Sequence, residues 1–247
     1  KNIKGAAVLN NAFTAAFAGG TGGHIFPALA VANMLKDQGV TIFWVGSKRA
    51  MEQRLVEPHF DLTCLSIESL RGRSRWGWGL FPFRLLRSLY EAILCVKRCN
   101  PDVVLTFGSF VSGPVGVASW LLSKPLVVHE QNAVSGMTNR WLAKISDRVL
   151  TAFSGSFPSV VQPFVVGNPV RKELLNLASP LQRWSDRESP LRVLVLGGSQ
   201  GSRAINNITL QWVERYALAD EVTLWHQVGR TNYDEMKDAY SHTDVSV

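Results

Sequence analysis

The chain has 247 residues, of which 46% are hydrophobic and 18% charged, and its formal net charge at pH 7 is +7. This composition is typical of a globular protein, and the length suits one large domain or two modest ones. The charge predicts an anionic partner, which a nucleic acid, a membrane surface or a phosphorylated substrate would supply. Cys64, Cys95 and Cys99 form no disulfide framework and have no metal-site spacing, which favours thiols in a reducing compartment.

The N-terminal residues have two interpretations. Lys1 and Lys4 precede an apolar stretch ending at Ala18, which imitates a signal peptide. Asn10 and Asn11 interrupt that stretch, and cleavage would remove a strand that the following loop needs, so we favour a strand. Elsewhere the longest apolar run is broken by proline and lysine before it reaches the roughly 18 residues of a membrane-spanning helix.

A strand, a glycine loop and a helix are predicted at the start of the chain. The strand covers Phe13 to Ala18, and the loop Gly19-Gly20-Thr21-Gly22-Gly23-His24 follows it. Pro27 predicts the first turn of the helix and Gly39 its end. Four glycines let a ligand approach the backbone, and the exposed N–H groups with the helix dipole favour a phosphate. The alternative is a tight turn that serves packing alone.

Two sharper phosphate motifs do not fit this loop. A P-loop would need Gly-Lys-Ser/Thr after four spacer residues, and the dinucleotide fingerprint would need a third glycine where Ile25 stands. The fingerprint also needs an acid at the end of the second strand, where the chain has Gly46-Ser47-Lys48. A nicotinamide enzyme is therefore not predicted.

Strands and helices then alternate as far as Ala152, and the strands are nearly continuous apolar runs. This pattern predicts a parallel sheet covered on both faces. A second glycine loop, Gly108 to Pro114, separates a strand from a helix. The predicted strands are Thr41 to Val45, Leu62 to Ile67, Asp102 to Phe107, Leu126 to His129 and Arg148 to Ala152, and the predicted helices are Met51 to His59, Leu85 to Arg98, Val115 to Leu122 and Asn139 to Ile145.

The opening motif recurs after a change of composition. Asn176 to Pro190 is rich in Pro, Ser, Arg and Asp, which is typical of a linker. A strand (Leu191 to Leu196), the loop Gly197-Gly198-Ser199-Gln200-Gly201 and a helix (Ser202 to Tyr216) then begin a second Rossmann-like domain. The remaining ~57 residues fall short of the roughly 100 that a domain usually needs, so we expect the chain to be a fragment.

Residues 71–87 interleave arginines with large apolar side chains. Interfacial segments have this composition, because aromatic rings reach the headgroups of a membrane while arginines meet anionic lipid. A surface loop leading into a helix with a core side is the alternative, and a nucleic acid has less support because no nucleic-acid motif accompanies the segment. The predicted membrane patch consists of Arg71, Arg73, Arg75, Trp76, Trp78, Phe81, Phe83, Arg84 and Arg87.

Six motifs in order resemble those of one enzyme family. They are GGTGGHIFPALAVA, GSFVSGP, HEQN, VGNPVR, GGSQGS and WHQVG. Together they closely resemble MurG-type N-acetylglucosaminyltransferases of peptidoglycan synthesis, across nearly the whole chain. One departure is that Ser109-Phe110 stand where the family usually has Gly-Tyr.

The resemblance implies a GT-B fold, with two Rossmann-like α/β domains of parallel sheets facing across a cleft. We expect an acceptor- and membrane-binding domain over residues 1–170, a linker over 171–190 and part of a donor-binding domain over 191–247. The implied enzyme is an inverting hexosyltransferase without metal or cofactor, peripheral at the cytoplasmic face of the bacterial plasma (inner) membrane. It would move GlcNAc from UDP-GlcNAc to the 4-hydroxyl of the muramyl sugar of undecaprenyl-pyrophosphoryl-MurNAc-pentapeptide (lipid I), giving lipid II.

The resemblance also implies ligand contacts residue by residue. Asn132 would touch the donor sugar, and Arg171 and Ser199 would hold the donor pyrophosphate. The full set for UDP-GlcNAc is Thr21, Gly22, Gly23, Asn132, Arg171 and Ser199, and the set for the acceptor pyrophosphate is Gly19, Gly20, Gly108, Ser109, Ser112 and Gly113. The uracil pocket of the family belongs to a part that this chain does not include.

His24 is the predicted general base, because it adjoins the glycine loop and imidazole titrates near neutral pH. The alternative is that it caps the helix or binds phosphate. Glu130 is the second candidate base, with a structural carboxylate as its alternative. The guanidinium of Arg171 fits phosphate oxygens, and a surface salt bridge is its alternative. Two other functions stay open: a truncated, non-catalytic module that binds the lipid-linked acceptor, and a related transferase using another UDP-sugar or lipid.

Overall fold

The computed structural model describes residues 14–18, 22–47, 50–67, 81–185, 187, 190–198, 201–216 and 221–243. The chain divides into two compact units, Lys1–Asn176 and Leu177–Val247. Both units are α/β with parallel strands, so the predicted fold class is confirmed. Among the described residues, no helix is both long and apolar enough to cross a membrane.

The first unit is built on one sheet of seven parallel strands. The strands are β1 (Thr14–Ala18), β2 (Thr41–Ser47), β3 (Asp61–Leu65), β4 (Val103–Thr106), β5 (Leu126–Glu130), β6 (Arg148–Thr151) and β7 (Phe164–Val165). The helices are α1 (Gly22–Asp37), α2 (Ala50–Val56), α3 (Phe81–Cys99), α4 (Ser112–Leu121), α5 (Met137–Leu142) and α6 (Lys172–Leu175), with a 3-10 turn at Ser159–Val161. The spatial order of the strands is β3-β2-β1-β4-β5-β6-β7.

The direction of the strand order reverses between β1 and β4. From β1 the chain moves outward through β2 to β3, and it then returns to β4 and moves outward on the other side to β7. In open parallel sheets, ligands bind beyond the carboxyl ends of the strands at such a switch point, because the loops there separate and leave a crevice. Both glycine loops of the first unit belong to this point, since one follows β1 and the other follows β4.

Two apolar cores hold the sheet, one on each face. On the face covered by α1, the Phe17 ring stacks with those of Trp44 and Phe107, at centroid distances of 5.8 and 5.9 Å. On the other face, Val104 and Val128 are buried against α3 and α4. This packing fixes the strand ends from which the functional loops depart.

Several helices begin earlier than the sequence predicted, and α3 begins at Phe81 instead of Leu85. Helix α1 begins at Gly22, so Pro27 lies inside the helix and not in its first turn. Proline has no N–H to donate, so the carbonyl of Gly23 receives no helical hydrogen bond from it. Helix α4 begins at Ser112, which places Ser112 and Gly113 in a first helical turn instead of a loop.

The second unit contains two parallel strands, β8 (Leu191–Leu196) and β9 (Val222–Gln227). Its helices are α7 (Pro180–Trp184), α8 (Arg203–Tyr216) and α9 (Tyr233–Ser241), with a 3-10 turn at Arg230–Asn232. Val213, Leu224 and Met236 are buried in its core. Helices α6 and α7 lie in the segment predicted as a linker, and a capping box of Ser179 and Gln182 begins α7.

Candidate active site

Two helices begin at the carboxyl edge of the first sheet, at neighbouring strands. Helix α1 follows β1, helix α4 follows β4, and these two strands are hydrogen-bonded to each other. Among the described residues, and apart from the backbone of its own helix, a Cβ placed on Gly23 would meet no atom within 4 Å, and one on Gly113 would meet only Thr138 Cγ2, at 3.7 Å. The backbone at both helix starts is therefore open to a ligand, and the helix dipoles favour an anion there.

His24 packs against the second glycine loop. Its Cδ2 and Nε2 atoms are 3.0 and 3.1 Å from the position that a Cβ on Gly108 would take, and Asn139 Nδ2 is 3.2 Å from it. Gly108 also has a φ of +91°, so glycine is needed both for the conformation and to make room for His24. Burial lowers the pKa of His24 from 6.5, and the negative charge of Glu130 opposes that change more weakly. The imidazole is therefore mostly neutral at pH 7.

Glu130, at the end of β5, is 1% exposed and accepts four hydrogen bonds. The backbone N–H and the side-chain amide of Asn132 donate to Oε1 at 3.0 and 2.9 Å. The backbone N–H of Gly136 and the side-chain amide of Asn139 donate to Oε2 at 3.0 and 2.9 Å. Burial raises the pKa of Glu130, but the hydrogen bonds together outweigh burial, and the net pKa is lowered. Because both oxygens are occupied, the geometry favours a structural carboxylate over a base.

His129 and Gln131 tie the segment after β7 to β5. The Nε2–H of His129 donates to the carbonyl oxygen of Gly167 at 3.1 Å, and its Nδ1 accepts from Gln131 Nε2 at 3.1 Å. Asn168 Nδ2 donates to the carbonyl oxygen of Gln131, also at 3.1 Å. Burial lowers the pKa of His129, which keeps this ring neutral and able to accept at Nδ1. These contacts fix the backbone that leads to Arg171.

Arg171 lies over an aromatic ring of α1. Its Cζ atom is 4.9 Å from the centroid of the Phe26 ring, and both side chains are exposed. Among the described residues, no carboxylate or carbonyl pairs with this guanidinium. Its N–H groups are therefore available to an anionic ligand, and the salt-bridge alternative has no partner in this part of the chain.

The two serines of the second glycine loop differ in their hydroxyl contacts. Ser112 is fully buried, and its hydroxyl donates to the carbonyl oxygen of Gly108 at 2.6 Å, so it stabilises the loop. Ser109 has a φ of +86°, an unusual conformation for a residue with a Cβ. Within the described ranges, Ser109 Oγ, Gln131 Oε1 and Asn139 Oδ1 are buried without a hydrogen-bond partner. Such strain and unpaired atoms are concentrated at functional sites.

Several predicted site residues lie outside the described residues. They are Gly19, Gly20 and Thr21 of the first loop, Ser199 of the third, and Arg71, Arg73, Arg75, Trp76 and Trp78 of the membrane patch, with the side chain of Phe81. Gly22 is described and begins α1. No local spacing in the sequence indicates a role for Phe26 or Asn139, because each contacts residues from other segments of the chain.

The described part of the predicted membrane patch is the first half of α3. Phe83 is 71% exposed and Leu86 is 64% exposed. Arg84 and Arg87 on the same helix are exposed as well. Other side chains of α3 are buried in the core, so the helix has a core side and an outer surface that is both apolar and basic.

The glycine loop of the second unit packs against the end of β9. A Cβ on Gly201 would collide with the carbonyl oxygen of Val228 and lie 2.6 Å from its carbonyl carbon. A Cβ on Gly197 would lie 2.7 Å from the carbonyl oxygen of Gln227. These two glycines allow close backbone approach, whereas the Cβ position of Gly198, which has a φ of +78°, meets no atom of the described residues within 4 Å. Among the described glycines of this loop, Gly198 is therefore the one open to a ligand.

The WHQVG motif lies on and after β9. His226 Nδ1 is 2.7 Å from the hydroxyl of Tyr240, in the wall of a cavity of about 590 Å³. Burial lowers the pKa of His226 and raises the pKa of Tyr240 to about 12, so the tyrosine donates to a neutral imidazole. In the described part of the chain, no group of three or more His, Cys, Asp or Glu side chains could hold a metal ion.

Comparisons with known proteins agree with the motif resemblance. The model of the glycosyltransferase family 28 N-terminal domain matches residues 14–151, and that of the C-terminal domain matches residues 192–247. A UDP-N-acetylglucosamine--N-acetylmuramyl-(pentapeptide) pyrophosphoryl-undecaprenol N-acetylglucosamine transferase of Photorhabdus laumondii is 46% identical over 227 residues, covering 92% of this chain and 62% of that protein. Its namesake in Yersinia pseudotuberculosis is 47% identical over 224 residues, covering 90% and 62%.

A solved structure is similar as well. The crystal structure of MurG from Acinetobacter baumannii matches with a TM-score of 0.73 at 30% identity, covering 96% of this chain and 66% of that one. The chain spans less than two thirds of the length of the curated relatives it matches.

Proposed function

Because this chain belongs to glycosyltransferase family 28, we propose that it serves an inverting transfer of GlcNAc from UDP-GlcNAc to the 4-hydroxyl of the muramyl sugar of lipid I, giving lipid II. The relatives that support this carry the transferase activity in their names and are 46% and 47% identical to the chain. Since the chain covers 62% of each of them, the activity of the whole protein is part of the proposal.

The observation that carries the proposal is the position of His24 beside two open helix starts. A lipid-linked pyrophosphate needs N–H donors, and its sugar hydroxyl needs a base within hydrogen-bond reach. The contact of His24 with Gly108 brings the imidazole to the loop after β4. We assign the acceptor pyrophosphate to the backbone of the two loops, at Gly19, Gly20, Gly108, Ser109, Ser112 and Gly113. The hydroxyl of Ser112 is engaged within the loop and stabilises it.

In this mechanism His24 takes the proton of the acceptor hydroxyl. Its lowered pKa keeps the imidazole in the neutral, accepting form at pH 7. The negative charge of Glu130 favours the imidazolium that results. Glu130 therefore organises the loop and supports the base, while its own oxygens stay hydrogen-bonded.

The donor is assigned to a second set of residues. Arg171 would hold the pyrophosphate of UDP-GlcNAc, and Asn132, which is exposed, would contact its sugar. Thr21, Gly22 and Gly23 would lie near the transferred sugar. Ser199 and the backbone N–H groups of its loop would receive the charge that develops on the departing UDP.

We propose that the outer surface of α3 docks on the cytoplasmic face of the bacterial plasma membrane, where the acceptor lipid resides. Exposed Phe83 and Leu86 would enter the headgroup region, and Arg84 and Arg87 would meet anionic lipid. The residues of the patch before α3 would extend this surface.

The decisive experiment measures transfer of radiolabelled GlcNAc from UDP-GlcNAc to lipid I in anionic vesicles, with a parallel titration of UDP-GlcNAc binding. We expect lipid II as the product. Retained binding of lipid I without any UDP-GlcNAc binding would instead favour the non-catalytic, acceptor-binding module. This alternative is specific because the chain covers only 62% of the length of its relative. Transfer only from another UDP-sugar would reassign the donor.

A further inference from the structure

Arg171 makes an aromatic contact that has no role in the proposed mechanism. The guanidinium carbon is 4.9 Å from the centroid of the Phe26 ring, at the distance of a cation–π interaction. A guanidinium that stacks on an aromatic ring contacts it through the flat face of the guanidinium group. The N–H groups point outward in the plane of that group and can still donate hydrogen bonds. Such a contact can orient a side chain without using the hydrogen-bond donors that an anion needs.

The backbone of Arg171 is fixed independently of this contact. The preceding segment is tied by Gly167 to His129 and by Asn168 to Gln131. It then runs along α1, since Val166–Val170 and the α1 residues Ala30 and Met34 line the same cavity of about 370 Å³. The segment therefore brings Arg171 alongside α1 with little freedom in its main chain.

Phe26 stands on the same face of α1 as that cavity and as the open glycine. Phe26, Ala30 and Met34 are four residues apart, which places them in one row on the helix. Gly23 is three residues before Phe26, so the open space at Gly23 and the Phe26 ring are neighbours, roughly 5–6 Å apart. A guanidinium over that ring lies next to the space where a phosphate would approach the backbone of α1.

We propose that Phe26 is a positioning residue that holds the guanidinium of Arg171 ready for the pyrophosphate of the nucleotide sugar. This inference rests on the proposed function, in which Arg171 binds the donor. Without the ring, Arg171 would sample many rotamers and would have to be ordered by the ligand itself, which weakens binding without changing the chemical step.

The test is a double-mutant cycle in the protein, read from the steady-state kinetics of GlcNAc transfer. Phe26→Leu should raise the KM for UDP-GlcNAc about 2- to 5-fold, with kcat and the KM for lipid I unchanged. Phe26→Tyr keeps a ring face and should restore the wild-type KM. In an Arg171→Ala background, Phe26→Leu should have no further effect, because the partner of the ring is gone.

Phe164 provides a matched control, since its ring is 6.0 Å from Arg148 Cζ on the exposed edge of the sheet, in another arginine–aromatic pair. Phe164→Leu should leave both KM values unchanged. The inference is overturned if Phe26→Leu raises KM equally in the wild-type and Arg171→Ala backgrounds, if Phe26→Tyr is as impaired as Phe26→Leu, or if kcat and thermal stability fall while KM does not move. A protein that bound UDP but transferred no GlcNAc would refute the proposed function, and the same cycle read from UDP affinity would still decide the role of Phe26.

Discussion

The two units both carry a strand, a glycine loop and a helix, yet their described glycines serve different purposes. In the loop after β8, Gly197 and Gly201 allow the backbone to approach the end of β9. At the edge of the first sheet, Gly23 faces open space and Gly108 makes room for His24. A glycine pattern therefore does not distinguish a glycine that leaves room for a ligand from one that lets two backbone segments pack closely. The atoms that surround each missing Cβ do distinguish them.

The largest loss of stability is expected at Gly201, where the loop after β8 is packed most closely. Gly201→Ala would force a left-handed φ of +72° on a residue with a Cβ and push that atom into the backbone of Val228. We expect it to lower the free energy of unfolding by about 3–5 kcal/mol, as the sum of backbone strain and overpacking. Urea denaturation followed by circular dichroism measures this change.

Gly198 is the matched control within the same loop, because it has a similar φ of +78° and open space where a Cβ would go. Gly198→Ala should cost only the conformational strain, about 1–2 kcal/mol. If both variants lost the same stability, close packing would not be the reason for glycine at Gly201.

At the carboxyl edge of the first sheet, the largest loss of activity is expected from substitution of His24. His24→Ala should lower turnover by about 100-fold or more while leaving the affinity for UDP-GlcNAc nearly intact, since it removes the proposed base and none of the proposed donor contacts. Transfer assays at saturating substrate give the turnover number. His59→Ala, at an exposed histidine of the same unit, is the control. Near-normal turnover of His24→Ala would exclude His24 as the base.

The sequence predicted the alternation of strands and helices as far as β6 and the strand, loop and helix that begin the second unit, because apolar runs and glycine loops are local signals. It did not predict β7, α6 or α7. It also predicted that His24 adjoins the first glycine loop and that Glu130 directly follows a strand. The predicted start of α1 was too late, because proline is common in the first turn of a helix and Pro27 was placed there. In the structure the helix already begins at Gly22. Local preference was overridden there by packing of the earlier turn on the sheet.

What the sequence could not predict are contacts between distant segments. The four hydrogen bonds of Glu130 depend on a loop that folds back so that Gly136 and Asn139 reach it. The contact of Phe26 with Arg171 depends on where the segment after β7 runs. Neither leaves a periodic pattern, and a carboxylate at the end of a predicted strand resembles a catalytic base until its hydrogen-bond partners are known.

Acid should destabilise the edge of the first sheet, where two buried histidines lie, and His226 in the second unit should add to the effect because burial lowers its pKa as well. Burial lowers the pKa of His24 and of His129 below 6.5 in the folded chain. As the pH falls through 6.5, the unfolded chain takes up protons that the folded chain does not, so stability is greatest above pH 6.5 and decreases until the folded pKa values are reached.

Urea denaturation between pH 7 and pH 5 should therefore give a falling free energy of unfolding. His24→Gln should make this decline shallower, because one of the buried histidines is gone. Gly198→Ala should lower the whole curve without changing its slope. A decline as steep in His24→Gln as in the unchanged chain would contradict the contribution of His24.

The smallest change in stability is expected at Gly23, where its sign should be opposite to that at Gly201. Gly23 lies in α1, needs no left-handed φ, and has no atom within 4 Å of its Cβ position. Gly23→Ala should therefore raise the free energy of unfolding by about 0.5–1 kcal/mol, because alanine restricts the unfolded chain and suits a helix. The added methyl should nevertheless occupy space beside the helix N–H groups and weaken substrate binding about 5-fold, the value of one hydrogen bond.

Gly39, at the other end of α1, separates these two effects. Its φ of +85° makes Gly39→Ala destabilising, while its distance from the helix start should leave every KM unchanged. Thermal unfolding and transfer kinetics of the two variants should therefore give opposite results in both assays: higher stability with weaker binding for Gly23→Ala, and lower stability with normal binding for Gly39→Ala. If Gly23→Ala bound its substrates normally, the open space at the start of α1 would not be part of the substrate site. Gly23 and Gly201 would then differ only in how closely their surroundings are packed.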